Sequence, residues 1–272
     1  MSDAWSRYWA RETSGACLPG APPAVQAVLR EKWTGLARAL ADGDHVLDIC
    51  SGAGAVLRVL GADRPRLVLQ GIDQAEVGAK AAALGVLGGI DAACLPFADA
   101  RFAVVTSQFG LEYCGPAAWA EAARVLAPGG RLVLICHHRQ SRAVQHNGRR
   151  LAAMRAMADA GLFRLAAAAA AAQAEDHVAT AAVRAAIVAH AEQSVVAELP
   201  AALGHWLRAG RPDAVEAIRL EAEAEMARLA AMQVAALDAA DVAERLGWLS
   251  PLQATGDVLM AEGDAVAWTI AA

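Results

Sequence analysis

The sequence has little that would tie it to a membrane, a nucleic acid or an oxidising compartment. No apolar run reaches the roughly 18–20 residues needed to cross a bilayer, so no membrane partner is expected. No block of lysines and arginines occurs, and the formal net charge is −5. A chain of that balance offers no basic surface for phosphate contacts, which argues against a nucleic acid partner. The five cysteines are Cys17, Cys50, Cys94, Cys114 and Cys136; they are odd in number, widely spaced and form no Cys-x-x-Cys pair. That pattern argues against a disulfide framework and against a zinc site, so no metal is expected and a reducing cytosol is the expected location. The opening MSDAWSRYWARE is too polar for a secretory leader, in keeping with a cytoplasmic protein. Hydrophobic residues make up 57% of the 272, but alanine inflates that share. The length suits one large α/β domain, or such a domain carrying a helical insertion.

What is present begins at residues 46–54, VLDICSGAG. Val46, Leu47 and Ile49 are strand formers, with Asp48 near the strand's end. Ser51, Gly52, Ala53 and Gly54 form a small-residue turn, and Ala55 to Leu60 is apolar and helix-compatible. A strand, a glycine turn and a helix make a cradle, because glycine admits close backbone approach and a helix start offers unpaired N–H groups. Two cradle types are missing. A Gly-x-Gly-x-x-Gly fingerprint counted from Gly52 puts Leu57 at its sixth position, and no Gly-Lys-Ser/Thr ending marks a phosphate loop.

Further along, Leu67–Ile72 reads as a second strand ending at Asp73, and the alanine-rich 75–84 as a helix. Val86–Ile90 and Phe102–Gln108 read as the third and fourth strands. Pro116–Leu126 reads as a helix closed by the turn Pro128-Gly129-Gly130, with a fifth strand over Arg131–Cys136. This alternation predicts a parallel sheet covered by helices on both faces. Strand signals then thin out over 141–240, where Leu151, Met154, Met157 and Leu162, and again Val183, Ile187, Ala191 and Val195, fall near helical spacing. Pro212 suits the first position of a new helix, and Ala166–Ala172 strongly favours helix. A last short helix over Asp241–Leu246 precedes strands over Leu252–Met260 and Ala265–Ala271, which form a hairpin turning at Glu262-Gly263-Asp264. The expected organisation is a core over 1–140, a helical insertion over 141–240 and a return to the core over 241–272.

The motif Asp48-x-Cys50-x-Gly52-x-Gly54 resembles motif I of class I S-adenosylmethionine-dependent methyltransferases, Asp-x-Gly-x-Gly-x-Gly, with cysteine at the first glycine position. The terminal hairpin matches the topology of that family. Asp91, Ala92, Leu95, Pro96 and Phe97 match the loop D-A-x-x-L-P-F of its ubiquinone/menaquinone-biosynthesis type, and EAARVLAPGGRLVLI (121–135) resembles the same group. The acid that often follows the next aromatic is absent, since Phe102 precedes Ala103. The resemblance covers about residues 44–136 well and implies a Rossmann-like α/β fold with a terminal antiparallel β-hairpin and a large helical insertion. It also implies S-adenosylmethionine as cofactor. Asp48, Cys50, Ser51, Gly52 and Gly54 then belong to the cradle, and Asp73, with Gln74 beside it, would hold the ribose hydroxyls. Asp91 would accept from the adenine amine, and the Ala92 N–H would meet a ring nitrogen. Gln108 follows the fourth strand and would border the site; Tyr8 and Trp9, with Trp5, form an aromatic cluster that would lie over the cofactor. Each has a plainer alternative: a helix cap for Asp73, an apolar turn for 95–97, a helix face packed on the core for the aromatics.

The implied reaction is methyl transfer to a small-molecule acceptor. If the acceptor must lose a proton, His138 is the first candidate base, then His137, with Glu112 and Tyr113 behind. The insertion would act as a lid over the acceptor. Two other readings stay open at this point: a SAM-using lyase or cyclase, and a non-catalytic SAM-binding protein.

Overall fold

The structure is a computed structural model that describes residues 2–11, 18, 20–172 and 176–272. Cys17 lies outside the described residues. Two helices, α1 (Ser2–Arg11) and α2 (Pro23–Arg38), precede the sheet. Strand and helix then alternate through β1 (His45–Ile49), α3 (Ala55–Asp63), β2 (Val68–Ile72), α4 (Ala79–Ala82), β3 (Val86–Leu87), β4 (Phe102–Gln108), α5 (Pro116–Val125) and β5 (Leu126–His137). Five helices follow: α6 (Arg142–Asp159), α7 (Leu162–Ala170), α8 (His177–Ala189), α9 (Val195–Arg208) and α10 (Pro212–Ala235). The chain ends with α11 (Ala239–Trp248), β6 (Thr255–Ala261) and β7 (Asp264–Ala271).

The seven strands lie in the order β3-β2-β1-β4-β5-β7-β6. β1 to β5 run parallel; β7 pairs antiparallel with β5, and β6 antiparallel with β7. This is the expected α/β sheet with its terminal hairpin. Both faces of the central strands β1 and β4 are buried, which is why they read as apolar runs. Leu47, Ile49, Val105, Leu132 and Leu134 pack on one side with Trp119 of α5, while Val46, Val104, Val133 and Ile135 pack on the other with Trp33 of α2. The odd-even split along each strand is the period-two signature of a pleated sheet. Strand order reverses between β1 and β4, and ligand crevices of open parallel sheets lie beyond the strand ends at such a point.

Four elements depart from expectation. The helix expected over 75–84 is only α4, because the Asp73 carboxylate holds the Ala75 amide at 2.8 Å and Gly78 is extended. β3 stops at Leu87, before Gly88-Gly89, rather than running to Ile90. Pro128-Gly129-Gly130 does not separate a helix from a strand. It bulges within β5, between the pairs Phe102↔Leu126 and Val104↔Arg131. Gly129 is left-handed, and a Cβ on Gly130 would meet the Ala103 and Ala127 carbonyls at 2.8 Å, so the bulge needs its glycines. Finally, Ser250–Leu252 is a 3₁₀ turn, and β6 begins at Thr255 rather than Leu252.

The chain divides into two compact units, Met1–Val144 with Met232–Ala272, and Gln145–Ala231. Residues 141–144 and 232–240, expected in the insertion, therefore belong to the sheet unit. The second unit is helical, with its own core of Leu151, Met154, Met157, Leu199, Leu203 and Leu229. Pro212 opens α10. Among the described residues no helix is long and apolar enough to cross a membrane.

Candidate functional site

Asp48, near the end of β1, is buried beneath the glycine turn. Its carboxylate accepts hydrogen bonds from the Ser51 hydroxyl at 2.6 Å and the Thr106 hydroxyl at 2.8 Å, joining β1, the turn and β4. Burial pushes its pKa up to about 7, against the pull of those two hydroxyls. A carboxyl raised in the folded state stabilises fully below its unfolded value, about 3.9, and that contribution is lost as pH rises through about 7. Wild-type protein should therefore lose melting temperature between about pH 5 and pH 8 more steeply than Asp48→Asn, which has no proton to lose. Thermal melts across that range check this; parallel curves would contradict it.

Asp73, at the carboxyl end of β2, is also buried but opens onto a cleft. Oδ2 accepts from the Gly52 amide and Oδ1 from the Ala75 amide, each at 2.8 Å. Burial raises its pKa, and the amides of Ala75, Gly52 and Gln74 oppose the rise. A carboxylate has about four lone-pair sites, so with two amides bound it retains capacity for a pair of hydroxyls. Across the turn, Cys50 is left-handed (φ 57) and also faces the cleft. Gly52 lies directly under the Trp9 indole, where a Cβ would come within 2.3 Å of the ring. Gly54 caps the start of α3 in a left-handed conformation.

The loop after β3 forms another side of the cleft. Asp91 Oδ1 accepts from the Ala93 amide at 2.9 Å, and Ile90, Asp91 and Ala92 line the cleft beside Gln74. Arg124 of α5 braces this loop: its guanidinium donates to the Phe97 carbonyl at 2.8 Å, the Leu95 carbonyl at 3.2 Å and Asp99 at 2.7 Å. Glu121 holds Arg124 in place and accepts from the Leu95 amide at 2.8 Å. The two sequence strings that looked separately family-like, 91–97 and 121–135, are thus one hydrogen-bonded assembly. Arg124→Ala should weaken cofactor binding about fivefold, or about 1 kcal/mol, by loosening the loop. Titration calorimetry reads this, and unchanged affinity would leave the brace without a role in the site.

Gln108, the last residue of β4, turns towards α2, where its side-chain carbonyl accepts from the Trp33 indole at 2.6 Å. Phe109, Gly110, Tyr113 and Cys114 line the cleft. Glu112 points inward and pairs with His137 at the end of β5; one carboxylate oxygen accepts from the His137 backbone amide at 2.8 Å and contacts Nδ1 at 2.7 Å. With Nδ1 donating, Nε2 carries the imidazole lone pair, and that atom is buried with no hydrogen-bond partner among the described residues. The ring lies against two cleft-lining rings, 4.4 Å from Phe109 and 5.8 Å from Tyr113 between centroids. His138 is placed differently. It stacks on Trp268 at 5.1 Å, and its Nδ1 accepts from the Gln140 amide at 3.1 Å. Burial lowers its pKa.

The aromatic cluster of α1 covers part of the cleft. Trp5 stacks on Trp9 and meets Tyr8 and Tyr113 edge to face, and Trp5 and Trp9 line the cavity. The cleft measures about 690 Å³ counting its open mouth. Of the residues singled out from sequence, it gathers Trp5, Trp9, Cys50, Asp73, Gln74, Asp91, Ala92 and Tyr113. Tyr8, Asp48, Ser51, Gly52, Gly54, Gln108, Glu112, His137 and His138 are not among its lining residues. Residues 47–134, which hold the glycine turn, both cleft acids and the brace, match the family described as Methyltransferase domain.

Over that span the chain is similar to S-adenosylmethionine-dependent methyltransferases. A ubiquinone/menaquinone biosynthesis C-methyltransferase from Paracoccus denitrificans is 38% identical over 107 residues, covering 35% of this chain and 42% of the relative. A 2-phytyl-1,4-naphtoquinone methyltransferase from Synechocystis is 33% identical over 134 residues, covering 44% of this chain and 54% of the relative. The chain spans about half the length of the curated relatives it matches. Among solved structures, YcgJ from Bacillus subtilis is similar over 40% of this chain and 51% of its own, at 25% identity and a TM-score of 0.35.

Sequence reasoning about the methyltransferase domain missed four features of the cleft. Ile90 was read as the end of a strand, and Ala75 as part of a helix. Cys114 lies three residues past Leu111 in a loop that carries no motif. The Glu121–Arg124 brace had one legible signal, an acid and a base three apart on one helix, but not its target.

Proposed function

We propose that the domain transfers the methyl group of S-adenosylmethionine to a small aromatic acceptor bearing ring hydroxyls, at carbon. The observation that carries this reading is one cleft lined by Asp73, Asp91, Phe109 and Tyr113, with His137, paired to Glu112, packed against the last two rings. The residues fit the cofactor. Asp73 has acceptor capacity for the two ribose hydroxyls, and Asp91 with Ala92 offers an acceptor and a backbone donor for a purine edge. Ile90 supplies an apolar wall. When bound, the cofactor supplies a methyl already activated on a sulfonium centre.

The chain's own work is then positioning, water exclusion and proton handling. Phe109 and Tyr113 present flat apolar faces to an aromatic acceptor. A buried imidazole nitrogen without a partner costs about 1–3 kcal/mol, and such a cost is retained where function uses the atom. In this reading His137 Nε2 takes the proton of an acceptor hydroxyl, and Glu112 fixes the imidazole tautomer and stabilises the charge that forms. Loss of that proton makes the ring carbons nucleophilic. The relatives, a C-methyltransferase of ubiquinone/menaquinone biosynthesis and a 2-phytyl-1,4-naphtoquinone methyltransferase, support a quinone-type acceptor, which carries ring hydroxyls when reduced.

The test is incubation with S-adenosylmethionine and a panel of hydroquinones and naphthohydroquinones, followed by mass spectrometry. Acceptor-dependent S-adenosylhomocysteine with a carbon-methylated product is expected. Methylthioadenosine formed without acceptor would contradict the proposal.

A further inference from the structure

Two thiols stand side by side in the cleft wall. Cys50 Sγ and Cys114 Sγ are 3.9 Å apart, both half-buried and both lining the cavity. They come from different elements: Cys50 from the glycine turn after β1, Cys114 from the segment that follows β4. The contact is prepared by the backbone. Cys50 holds a left-handed conformation, and a Cβ on Gly110 would lie 2.3 Å from the Cys50 Cβ, so only glycine at 110 leaves room for this side chain. Neither other described thiol shares this setting; Cys94 is exposed and Cys136 is buried in the sheet core.

We infer that Cys50 and Cys114 form a redox-sensitive pair that a peroxide oxidises to a disulfide, closing the cleft to its cofactor. Either sulfur can donate to the other across this contact; with the Cys50 S–H donating, ionisation of Cys114 is favoured and Cys114 is the attacking sulfur. Its thiolate attacks one peroxide oxygen, the O–O bond breaks, and with one proton the products are a sulfenic acid and water. The Cys50 thiol then attacks the sulfenic sulfur; the S–S bond forms, and the departing hydroxide leaves as water with the Cys50 proton. In sum, two thiols are oxidised to a disulfide, and one hydrogen peroxide is reduced to two waters.

The sulfurs must close to about 2.05 Å, which draws the segment around Cys114 onto the turn and narrows the cleft between them. Loss of cofactor affinity follows if the cleft is the cofactor site, so that half of the inference rests on the proposed function.

The experiment uses the full chain, fully reduced and then treated with hydrogen peroxide in slight excess. Peptide mapping without reductant should find residues 50 and 114 crosslinked, with the intact mass lower by two hydrogens. Binding of S-adenosylhomocysteine by calorimetry should weaken by about tenfold or more and recover with dithiothreitol. In Cys114→Ser the crosslink should be absent, and the same peroxide dose should leave that variant's own affinity unchanged. Full alkylation of both thiols after peroxide, oxidation to sulfinic acid without a crosslink, or a crosslinked protein that binds as tightly as the reduced one would overturn the inference. Reduced protein that binds no S-adenosylhomocysteine would contradict the cofactor site itself, while the crosslink remains readable by mass alone.

Discussion

Asp73→Ala should weaken binding of S-adenosylmethionine by about 100-fold, which is about 2.7 kcal/mol. The carboxylate is expected to accept from two ribose hydroxyls in a buried setting, and hydrogen bonds to charged groups contribute about 1.5–3 kcal/mol each. The variant also strips the Gly52 and Ala75 amides of their acceptor, so the turn and the start of the α4 segment lose an anchor. Asp73→Asn separates the two effects. It keeps one carbonyl oxygen for one amide but turns its NH2 towards the other and loses the charge, so it should melt between wild type and Asp73→Ala and still bind at least about tenfold more weakly. Calorimetry and thermal melts on both variants decide the matter. Unchanged affinity in either would remove Asp73 from the cofactor site and leave it as a clasp on the turn.

His137→Ala should lower kcat by roughly 10²- to 10⁴-fold, the range that a positioned acid–base group contributes, and leave the cofactor Kd close to wild type. The imidazole sits behind Phe109 and Tyr113, so its loss falls on the acceptor's proton and not on the cofactor. Glu112→Gln keeps an oxygen for the His137 amide but removes the charge beside the ring, and should lose less in kcat than the histidine variant. His138→Ala should cost little, since that ring packs on Trp268 and is tied to the Gln140 amide. Equal kcat for wild type and His137→Ala, with a lowered melting temperature, would make the pair a structural feature of β5.

The contrast between His137 and His138 shows what the sequence can and cannot express. Both follow a clear strand pattern, and the carboxyl end of β5 was legible as a place where chemistry gathers. Successive residues on extended chain point to opposite sides, however, and which of two neighbours turns inward depends on the partner waiting there. That partner, Glu112, is 25 residues away and on another element. Asp48 and Asp73 teach the same lesson. Each is an acid near the end of a parallel strand, but one is tied down by two hydroxyls beneath the turn while the other opens onto the cleft.

Elements whose signal is local were read to within a residue or two: β1, the glycine turn, β4, and the hairpin at Glu262-Gly263. Where local preference met a tertiary constraint, the constraint won. The alanines of 75–84 favour helix, yet Asp73 captures the Ala75 amide and Gly78 stays extended, so only four residues coil. Pro128-Gly129-Gly130 carries a strong turn signal, and the sheet absorbs it as a bulge because Leu126 already pairs with Phe102. The Cys50–Cys114 contact left no trace in spacing at all, since it depends on Gly110 making room between two loops.

The most direct test of the account is a crystal structure of the protein with S-adenosylhomocysteine. The account predicts both ribose hydroxyls on the Asp73 carboxylate, the adenine edge at Asp91 and the Ala92 amide, and the homocysteine sulfur facing the side of the cleft formed by Phe109 and Tyr113. Ligand density elsewhere in the chain, or a ribose that makes no contact with Asp73, would contradict it.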